Sequence, residues 1–357
     1  MIPEVVIDQA KLEAFMGKAI GDISGATSTL MCVLGDRMGL FKDLAVNGAA
    51  TSADLARRTG LDERYTREWL SAMACGGYLE YDPGGRRFTL PPEHAMVLAQ
   101  EMGPMFLCGL HQQLVGFVDV LDPLVEAFKH GGGVPQEAYR QETWDGMERG
   151  TATWFENMLV PQWIAAMPDI QAKLERGAVV ADVGSGAGRA LIKLAQAFPC
   201  SRFVGYDVFE PAIEQAMANA AQAGVEDRVR FERRDVADGL PGTYDLITTF
   251  DVVHDMVRPR RALRAIRAAL RPDGSYLMME FSYSEKLEEN IGPLGAFQYG
   301  VSVLYCLTTS LARGGEGLGA LGLPEPKVRE LCAEAGFSSV RRLPIENPFN
   351  ILYEVKP

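Results

Sequence analysis

Apolar and polar positions follow two different periods along the chain, and each period predicts one part of the fold. Residues 10–40 carry apolar side chains at helical spacing, for example at Ile20, Ile23, Leu30 and Leu34. Apolar residues three or four positions apart form one face of a helix. We therefore expect one or two helices at the start of the chain.

The next segment has the pattern of a winged helix. Thr51 can cap a first helix with its hydroxyl, and a second amphipathic helix covers residues 65–75. Two short runs, 78–81 and 86–90, lie on either side of a Pro-Gly-Gly turn and predict a hairpin. We expect residues 1–100 to form an N-terminal domain of helices and a winged helix.

The second half of the chain changes period. Short apolar runs alternate with helical segments, which predicts a mainly parallel sheet with helices on both faces. The predicted strands are residues 178–183, 202–207, 229–231, 244–250, 275–280, 339–344 and 350–355. Together they predict an α/β, Rossmann-like sheet of seven strands over residues 176–357, with residues 101–175 as connecting helices that form part of a ligand pocket.

The balance of charged residues argues against some classes of binding partner. With 35 Lys and Arg against 47 Asp and Glu, the net charge is -12. Residues 51–90, where a winged helix would contact DNA, hold six Arg and six acidic residues. Binding to a polyanion requires a basic face, so we expect no nucleic-acid partner. A dimerisation or scaffold role for the winged helix is favoured, and a DNA-binding regulator that senses a ligand is the alternative.

Cysteines and targeting signals indicate a protein of the cytoplasm. The six cysteines lie far apart and form no CxxC pair or Cys/His cluster, so we expect reduced thiols and no metal site. The first fifteen residues lack the basic and apolar regions of a signal peptide. Residues 290–312 carry no charge, which leaves a membrane span as a minor alternative to a buried helix or pocket wall.

A glycine loop follows the first strand of the predicted sheet. The sequence after Asp182 is Val-Gly-Ser-Gly-Ala-Gly, which places Gly184, Ser185, Gly186 and Gly188 just before a helix. Glycines allow a ligand to approach the backbone N–H groups at a helix N-terminus. The spacing is GxGxG and lacks the third glycine of the dinucleotide GxGxxG motif.

Acidic residues at later strand ends give the loop its context. Asp207 ends the second strand, 25 residues after Asp182, where a carboxylate can accept hydrogen bonds from both ribose hydroxyls. Asp235 follows the third strand, where it either lies near an adenine or caps a helix. Asp182 itself either orders the loop or contacts the ligand.

These motifs resemble those of class I S-adenosylmethionine-dependent methyltransferases. The matching segments are 180–188, 205–207, 234–236, 244–247 and the Leu-Arg-Pro-Asp-Gly turn at 270–274. With the winged helix in front, the chain resembles bacterial relatives of the O-methyltransferases, whose N-terminal region forms a homodimer. The resemblance implies S-adenosyl-L-methionine as cofactor, bound by Asp182, Gly184, Ser185, Gly186, Gly188, Asp207, Val208, Asp235, Val236 and Phe250.

The candidate base lies past the fourth strand. His254 comes four residues after Phe250, beyond the carboxyl ends of the strands, where open α/β sheets bind ligands. An imidazole there can take a proton from a phenol or similar group. The resemblance implies His254 as the catalytic base and Glu280 as a carboxylate that holds it, although Met256 stands where the family has Trp. A second flanking carboxylate has no clean match, because the nearby Glu316 lies in a Gly-rich segment.

The predicted activity is transfer of a methyl group to a small, partly apolar or aromatic molecule, most favourably to oxygen. Carbon or nitrogen acceptors fit the same scaffold. A further alternative keeps the cofactor but uses its positive charge to catalyse a rearrangement. The predicted pocket wall includes Phe117 and Trp154 from the connecting helices and Tyr299 and Tyr305 from the uncharged segment.

Overall fold

The computed structural model describes residues 7–347 and 349–357. The chain divides into two compact units: one holds the residues up to Val115 together with Asp145–Thr153, and the other holds Gly116–Trp144 and Trp154–Pro357. The segment predicted as connecting helices, 101–175, therefore contributes to both units. Its part in a ligand pocket stays a prediction.

The first unit begins with a long helix and continues as a winged helix. Its helices are α1 (Gln9–Arg37), α2 (Leu40–Asn47), α3 (Ser52–Thr59), α4 (Glu63–Cys75) and α5 (Pro92–Leu98), and its hairpin strands are β1 (Glu80–Asp82) and β2 (Arg87–Thr89). Thr51 caps α3 by accepting a hydrogen bond from the Asp54 N–H, as predicted. Asp82 accepts two N–H bonds within the hairpin turn. The predicted helix, helix and hairpin order is confirmed.

A tryptophan joins the helices of the first unit. Trp69 is 4% exposed, and its indole N–H donates to the Met31 carbonyl at 2.9 Å. Gly35 lies so close to the ring that a Cβ there would meet Trp69 at 2.4 Å. Glycine at this position thus allows α1 to pack directly on α4.

The middle of the chain is helical, as predicted. The helices are α6 (Cys108–Gly116), α7 (Leu121–His130), α8 (Gln141–Trp154) and α9 (Pro168–Arg176), with the π-helical turns Phe155–Ile164 continuing α8. Phe155, Leu159 and Trp163 on these turns are buried against the sheet of the second unit. They form one wall of its core.

The second unit is a sheet of seven strands in the described part of the chain. The strands are β3 (Val179–Val183), β4 (Arg202–Asp207), β5 (Val229–Arg233), β6 (Tyr244–Phe250), β7 (Leu270–Phe281), β8 (Ser339–Arg342) and β9 (Asn350–Lys356), and the helices that alternate with them are α10 (Arg189–Ala197), α11 (Glu210–Gln222) and α12 (Pro259–Ala269). Their order is β5-β4-β3-β6-β7-β9-β8, with β9 antiparallel to both neighbours and the other pairs parallel. This is the Rossmann-like sheet predicted from the sequence.

The strand order explains where a site can form. The chain runs outward from β3 to β5 and then returns to place β6 on the other side of β3. Connections therefore diverge between β3 and β6, and such a switch point leaves a crevice at the carboxyl ends of the strands. The glycine loop after β3, Asp207 at the end of β4 and Phe250 at the end of β6 all lie at this edge.

The uncharged segment forms helices of the second unit. It contains α13 (Pro293–Val301), the π-helical turn Ser302–Cys306 and α14 (Leu307–Ala312), and α15 (Glu325–Ala335) follows it. Ser302, Thr308 and Ser310 are buried in it. Within the described residues, no helix is long and apolar enough to span a bilayer. The prediction of buried helices is confirmed for this segment.

Candidate functional site

The glycine loop joins the end of β3 to the start of α10. The N–H groups of Gly184 and Ser185 donate to the Tyr206 carbonyl, which fixes the loop to β4. Gly184 has φ of 71°, and a Cβ on it would lie 2.3 Å from a methyl group of Val252. Gly186 has φ of 50°, but a Cβ there would meet no atom within 4 Å. The loop is thus closed on the side of Val252 and open at Gly186.

Asp207 fastens the open part of the loop. One carboxylate oxygen accepts the Gly186 N–H at 2.9 Å, and the other accepts the Phe209 N–H at 2.9 Å. Burial raises the pKa of Asp207 from the usual aspartate value, and these amides offset part of that rise. Each carboxylate oxygen can accept a second hydrogen bond, and the side chain stays partly exposed.

Asp182 lies beneath the loop. It is 2% exposed and accepts a hydrogen bond from the Thr248 hydroxyl at 2.6 Å, between β3 and β6. Burial raises the pKa of Asp182 to about 7, against the effect of the Thr248 bond, and the charge of Asp207 adds to the rise. The Asp182 carboxyl thus joins the ends of β3 and β6. This agrees with the first of the two alternatives from the sequence, in which Asp182 orders the loop.

Asp235 and Val236 start a short 3-10 turn after β5. The Asp235 carboxylate accepts the Ala237 N–H at 2.8 Å and pairs with Arg258 at 2.6 Å. Asp235 therefore acts as the cap that the sequence left as an alternative. Val236 is buried, while Val208, just after Asp207, is partly exposed and accepts a bond from Arg233 through its carbonyl.

Phe250 and Ser185 complete the predicted cofactor residues. The ring of Phe250 lies 5.1 Å from that of Phe155 and 5.7 Å from that of Trp163, so its inner side belongs to the core. The Ser185 hydroxyl is buried and has no hydrogen-bond partner. An unpaired buried hydroxyl is costly, and a ligand at the loop is one way to pair it.

His254 and Glu280 meet at the ends of β6 and β7. His254 Nδ1 lies 2.5 Å from one oxygen of Glu280, whose other oxygen accepts the Val253 N–H at 3.0 Å. The two side chains are 1% and 2% exposed. The pairing that the resemblance implied is therefore present, and it fixes Nδ1 as the protonated nitrogen.

The other face of the imidazole contacts groups that the sequence did not single out. His254 Nε2 lies 3.1 Å from Asp255 Oδ1, which is a buried oxygen. The Cys306 thiol lies within 4.8 Å of both groups. Asp255 therefore lies against the imidazole nitrogen opposite the one that faces Glu280. Glu316, considered from the sequence, pairs with Arg260 instead.

These carboxylates decide the protonation of the histidine. Burial by itself lowers the pKa of His254, but the charges of Asp255 and Glu280 outweigh it and hold the pKa well above the usual imidazole value. Burial, together with the charge of Asp255, raises the pKa of the Cys306 thiol to about 12. At neutral pH the cluster is therefore an imidazolium between two carboxylates beside a neutral thiol.

Aromatic side chains collect beside this cluster in the second unit. Tyr305 contacts the rings of Phe117, Tyr139 and Trp144, and Trp144 lies 4.7 Å from Phe209. Gln136 donates to the Tyr305 hydroxyl. Two residues of the predicted pocket wall, Phe117 and Tyr305, are neighbours here. Trp154 stacks on Phe349 instead, and Tyr299 is exposed.

Comparison with known proteins identifies both parts of the chain. Residues 26–100 match the family model of the Rv2258c-like winged HTH domain, and residues 174–297 match that of a methyltransferase domain. Acetylserotonin O-methyltransferase of Mus musculus is 27% identical over 350 residues, which cover 87% of this chain and 81% of that protein.

Solved structures share the fold over the full length. An O-methyltransferase family protein from Burkholderia thailandensis has a TM-score of 0.70 at 15% identity, covering 99% of this chain and 98% of that chain. Human N-acetylserotonin methyltransferase, solved in complex with SAM, has a TM-score of 0.64 at 17% identity and covers 100% of this chain and 99% of that chain.

Residues 26–100 therefore form a winged-helix domain and residues 174–297 a methyltransferase domain. The methyltransferase domain makes the protein an enzyme. S-adenosyl-L-methionine is the ligand in the solved structure of the human N-acetylserotonin methyltransferase. The residues at the loop fit that cofactor, because Asp207 keeps free acceptor capacity, Gly186 faces open space and the Ser185 hydroxyl lacks a partner.

Proposed function

We propose that this enzyme methylates an oxygen atom of a small, partly apolar or aromatic molecule, with His254 as general base. The observation that carries the proposal is the His254–Glu280 pair, with 2.5 Å between Nδ1 and the carboxylate, at the strand edge that holds the glycine loop. An imidazole held in this way is a stronger base than a free one. The relatives named as O-methyltransferases support oxygen as the methylated atom.

The cofactor would be held by the loop and by Asp207. When bound, S-adenosylmethionine supplies a methyl group on a positively charged sulfur, which is already a good leaving group. Asp207 would accept both ribose hydroxyls, the Gly186 backbone would lie against the ligand, and Ser185 would gain a hydrogen bond. We assign Asp182, Gly184, Gly188 and Val236 to shaping this site from below, and Val208, Asp235 and Phe250 to its rim.

The acceptor hydroxyl would reach His254 from the side of Asp255. The imidazole is 1% exposed, and Nε2 now faces Asp255 Oδ1 at 3.1 Å. Asp255 is itself about one-fifth exposed, with 20% of its side chain accessible, so the acceptor would displace it toward solvent. An acceptor hydroxyl that takes its place would lie within reach of Nε2, and Glu280 would stabilise the imidazolium that forms.

We assign no metal to the His254, Asp255 and Cys306 group. Both imidazole nitrogens already face carboxylates, Nδ1 at 2.5 Å from Glu280 and Nε2 at 3.1 Å from Asp255. In this proposal the cluster handles a proton.

We also propose that the enzyme is a homodimer joined through α1. This helix exposes Met16, Ile20, Ile23, Leu30 and Leu34, each at least 43% accessible, at spacings of four, three, seven and four, which match the a and d positions of a coiled coil. The same seam on a second copy would be self-complementary across a two-fold axis. No other described helix presents large apolar side chains at this spacing over five turns.

The test of the activity is a product assay with a panel of small phenols. The protein is incubated with S-adenosylmethionine labelled in the methyl group, and S-adenosylhomocysteine and methylated phenol are both quantified. Oxygen-linked methyl in the product supports the proposal. Label on carbon or nitrogen contradicts the base assignment, and conversion of a substrate without S-adenosylhomocysteine would indicate the rearrangement chemistry instead.

A further inference from the structure

Asp251 is a carboxyl group near His254 that takes no part in the proposed methyl transfer. Asp251 follows Phe250 at the carboxyl end of β6 and has φ of 53°, in the left-handed region that residues with a side chain seldom adopt. Its N–H donates to the Met279 carbonyl at 3.0 Å, which holds the unusual conformation. Backbone strain of this kind collects at functional sites, where it aims a side chain.

A buried amide is committed to this carboxyl. Asn350, the first residue of β9, is 1% exposed, and its Nδ2 lies 2.8 and 2.7 Å from the two oxygens of Asp251. Its own carbonyl oxygen, Oδ1, is buried without a partner. Buried polar atoms are normally hydrogen-bonded, so the unpaired Oδ1 of Asn350 is unusual. Asn350 thus holds the carboxyl of Asp251 although its own carbonyl oxygen stays unpaired.

Asp251 lies beside the base at the carboxyl ends of β6 and β7. The next residue, Val252, is the one that a Cβ on Gly184 would strike, and His254 comes two residues later. Asp251 keeps an exposed part, whereas Asn350, Glu280 and His254 are sealed. An acceptor held against His254 would therefore lie near the Asp251 carboxyl.

The charges that face Asp251 are mainly negative. Glu280 and Asp255 act on it as carboxylates, and His254 is the one cation among its described electrostatic partners. Burial, followed by the charge of Glu280, raises the pKa of Asp251 to about 8. A protonated amine beside Asp251 would offset the negative charges of Glu280 and Asp255. The site thus favours a positively charged group.

We propose that Asp251, oriented by Asn350, binds a protonated amine on the methyl acceptor and so restricts the substrate to amine-bearing hydroxyl compounds. The ammonium group would donate to Asp251 while the hydroxyl faces His254. This inference rests on the proposed O-methylation, because it places the acceptor between the glycine loop and the base. It makes Asp251 a specificity-determining residue that contacts substrate.

The experiment compares three phenols that differ at one group. The protein is saturated with S-adenosylhomocysteine and titrated by calorimetry with tyramine, 4-ethylphenol and 3-(4-hydroxyphenyl)propionic acid. We expect tyramine to bind about tenfold more tightly than 4-ethylphenol, since a hydrogen bond to a charged group contributes that much, and the acid to bind most weakly. In Asp251→Asn the preference for tyramine over 4-ethylphenol should fall to less than about twofold.

Two further variants separate recognition from folding. Asn350→Ala should reduce the tyramine preference in part, because the carboxyl remains but is no longer held. Asp245→Asn removes a carboxylate from the other end of β6, where it pairs with Arg271 and the Val179 N–H, and should leave the preference unchanged. Binding of S-adenosylhomocysteine to each variant reports that the site is folded.

The outcomes distinguish this inference from the proposed function. An unchanged preference in Asp251→Asn, equal binding of tyramine and 4-ethylphenol to the native protein, or no binding of either phenol overturns the role of Asp251. If tyramine binds with the expected preference but is not methylated on oxygen when S-adenosylmethionine is supplied, the role of Asp251 stands and the O-methylation proposal fails.

Discussion

His254 lies between two carboxylates, and this arrangement has opposite effects on its use as a base. Glu280 and Asp255 strengthen the base, but they also keep it protonated at neutral pH. A base must be neutral to accept a proton. The enzyme should therefore gain activity as the pH rises.

We expect kcat/KM for a phenol to increase with pH through an inflection well above 6.5, the usual imidazole value. Glu280→Gln removes one of the charges that raise the pKa, so its inflection should move to lower pH. His254→Ala should lower kcat by about a hundredfold or more while S-adenosylhomocysteine binds as before. The measurement is a pH series of initial rates beside calorimetric titration. A pH profile that is the same in His254→Ala would contradict the base assignment.

Asp182 predicts a pH dependence of stability. Its pKa is about 7 in the fold against 3.8 for the free group, so its favourable contribution is complete below pH 3.8 and is lost as the pH rises through about 7. Asp182→Asn is neutral at every pH and keeps an acceptor for the Thr248 hydroxyl. The free energy of unfolding of the variant, relative to the native protein, should therefore rise between pH 4 and pH 8.

Urea unfolding at these two pH values measures the difference, with exposed Asp238→Asn as control. The control should show little change, because Asp238 is 59% exposed and solvent screens its charge. If Asp182→Asn follows the control, Asp182 is not the buried neutral carboxyl that the structure indicates.

At the scale of elements, local patterns determined most of the fold. The apolar runs that begin near 178, 202, 229, 244 and 275 became β3 to β7 because buried parallel strands need continuous apolar residues. The glycine loop and Asp207 were also predictable, because each directly follows or ends a predicted strand in the sequence. The periodicity of apolar residues does not predict which side chains from distant strands contact each other across the sheet.

The residues that the sequence did not assign illustrate this limit. Asp251 and Asn350 are 99 positions apart and meet only because β9 returns antiparallel beside β7. Cys306 reaches His254 from the uncharged segment. Asp255, in contrast, directly follows His254 in the sequence. Because both residues lie in the short turn after β6, their proximity could have been predicted from the sequence.

The glycine loop carries a prediction at this scale. Gly184→Ala combines a left-handed backbone with a Cβ 2.3 Å from Val252, so it should destabilise the fold by ~2 kcal/mol or more. Gly186→Ala meets no atom within 4 Å and should destabilise less, yet place a methyl group where the cofactor approaches. We expect its affinity for S-adenosylhomocysteine to fall at least about tenfold. Thermal unfolding and calorimetry on both variants check this contrast, which fails if the two lose stability and affinity in equal proportion.

At the scale of the whole molecule, charge and apolar surface point to different partners. The net charge of -12 and the balanced charges of residues 51–90 oppose DNA, which a winged helix otherwise contacts. The face of α1 presents Ile20 and Ile23, which are 64% and 66% accessible. Solvent exposure of this apolar face is unfavourable, and pairing with a second copy removes it.

Light scattering coupled to size exclusion should therefore give twice the mass of the 39.0 kDa chain. Ile20→Glu and Ile23→Glu together place like charges in the seam of both copies, and we expect this variant to elute as a monomer that still binds S-adenosylhomocysteine. Val46→Glu is the matched control, because Val46 is 82% exposed outside α1 and should leave the mass unchanged. A monomeric native protein, or a dimer that survives both glutamates, would mean that α1 has another partner.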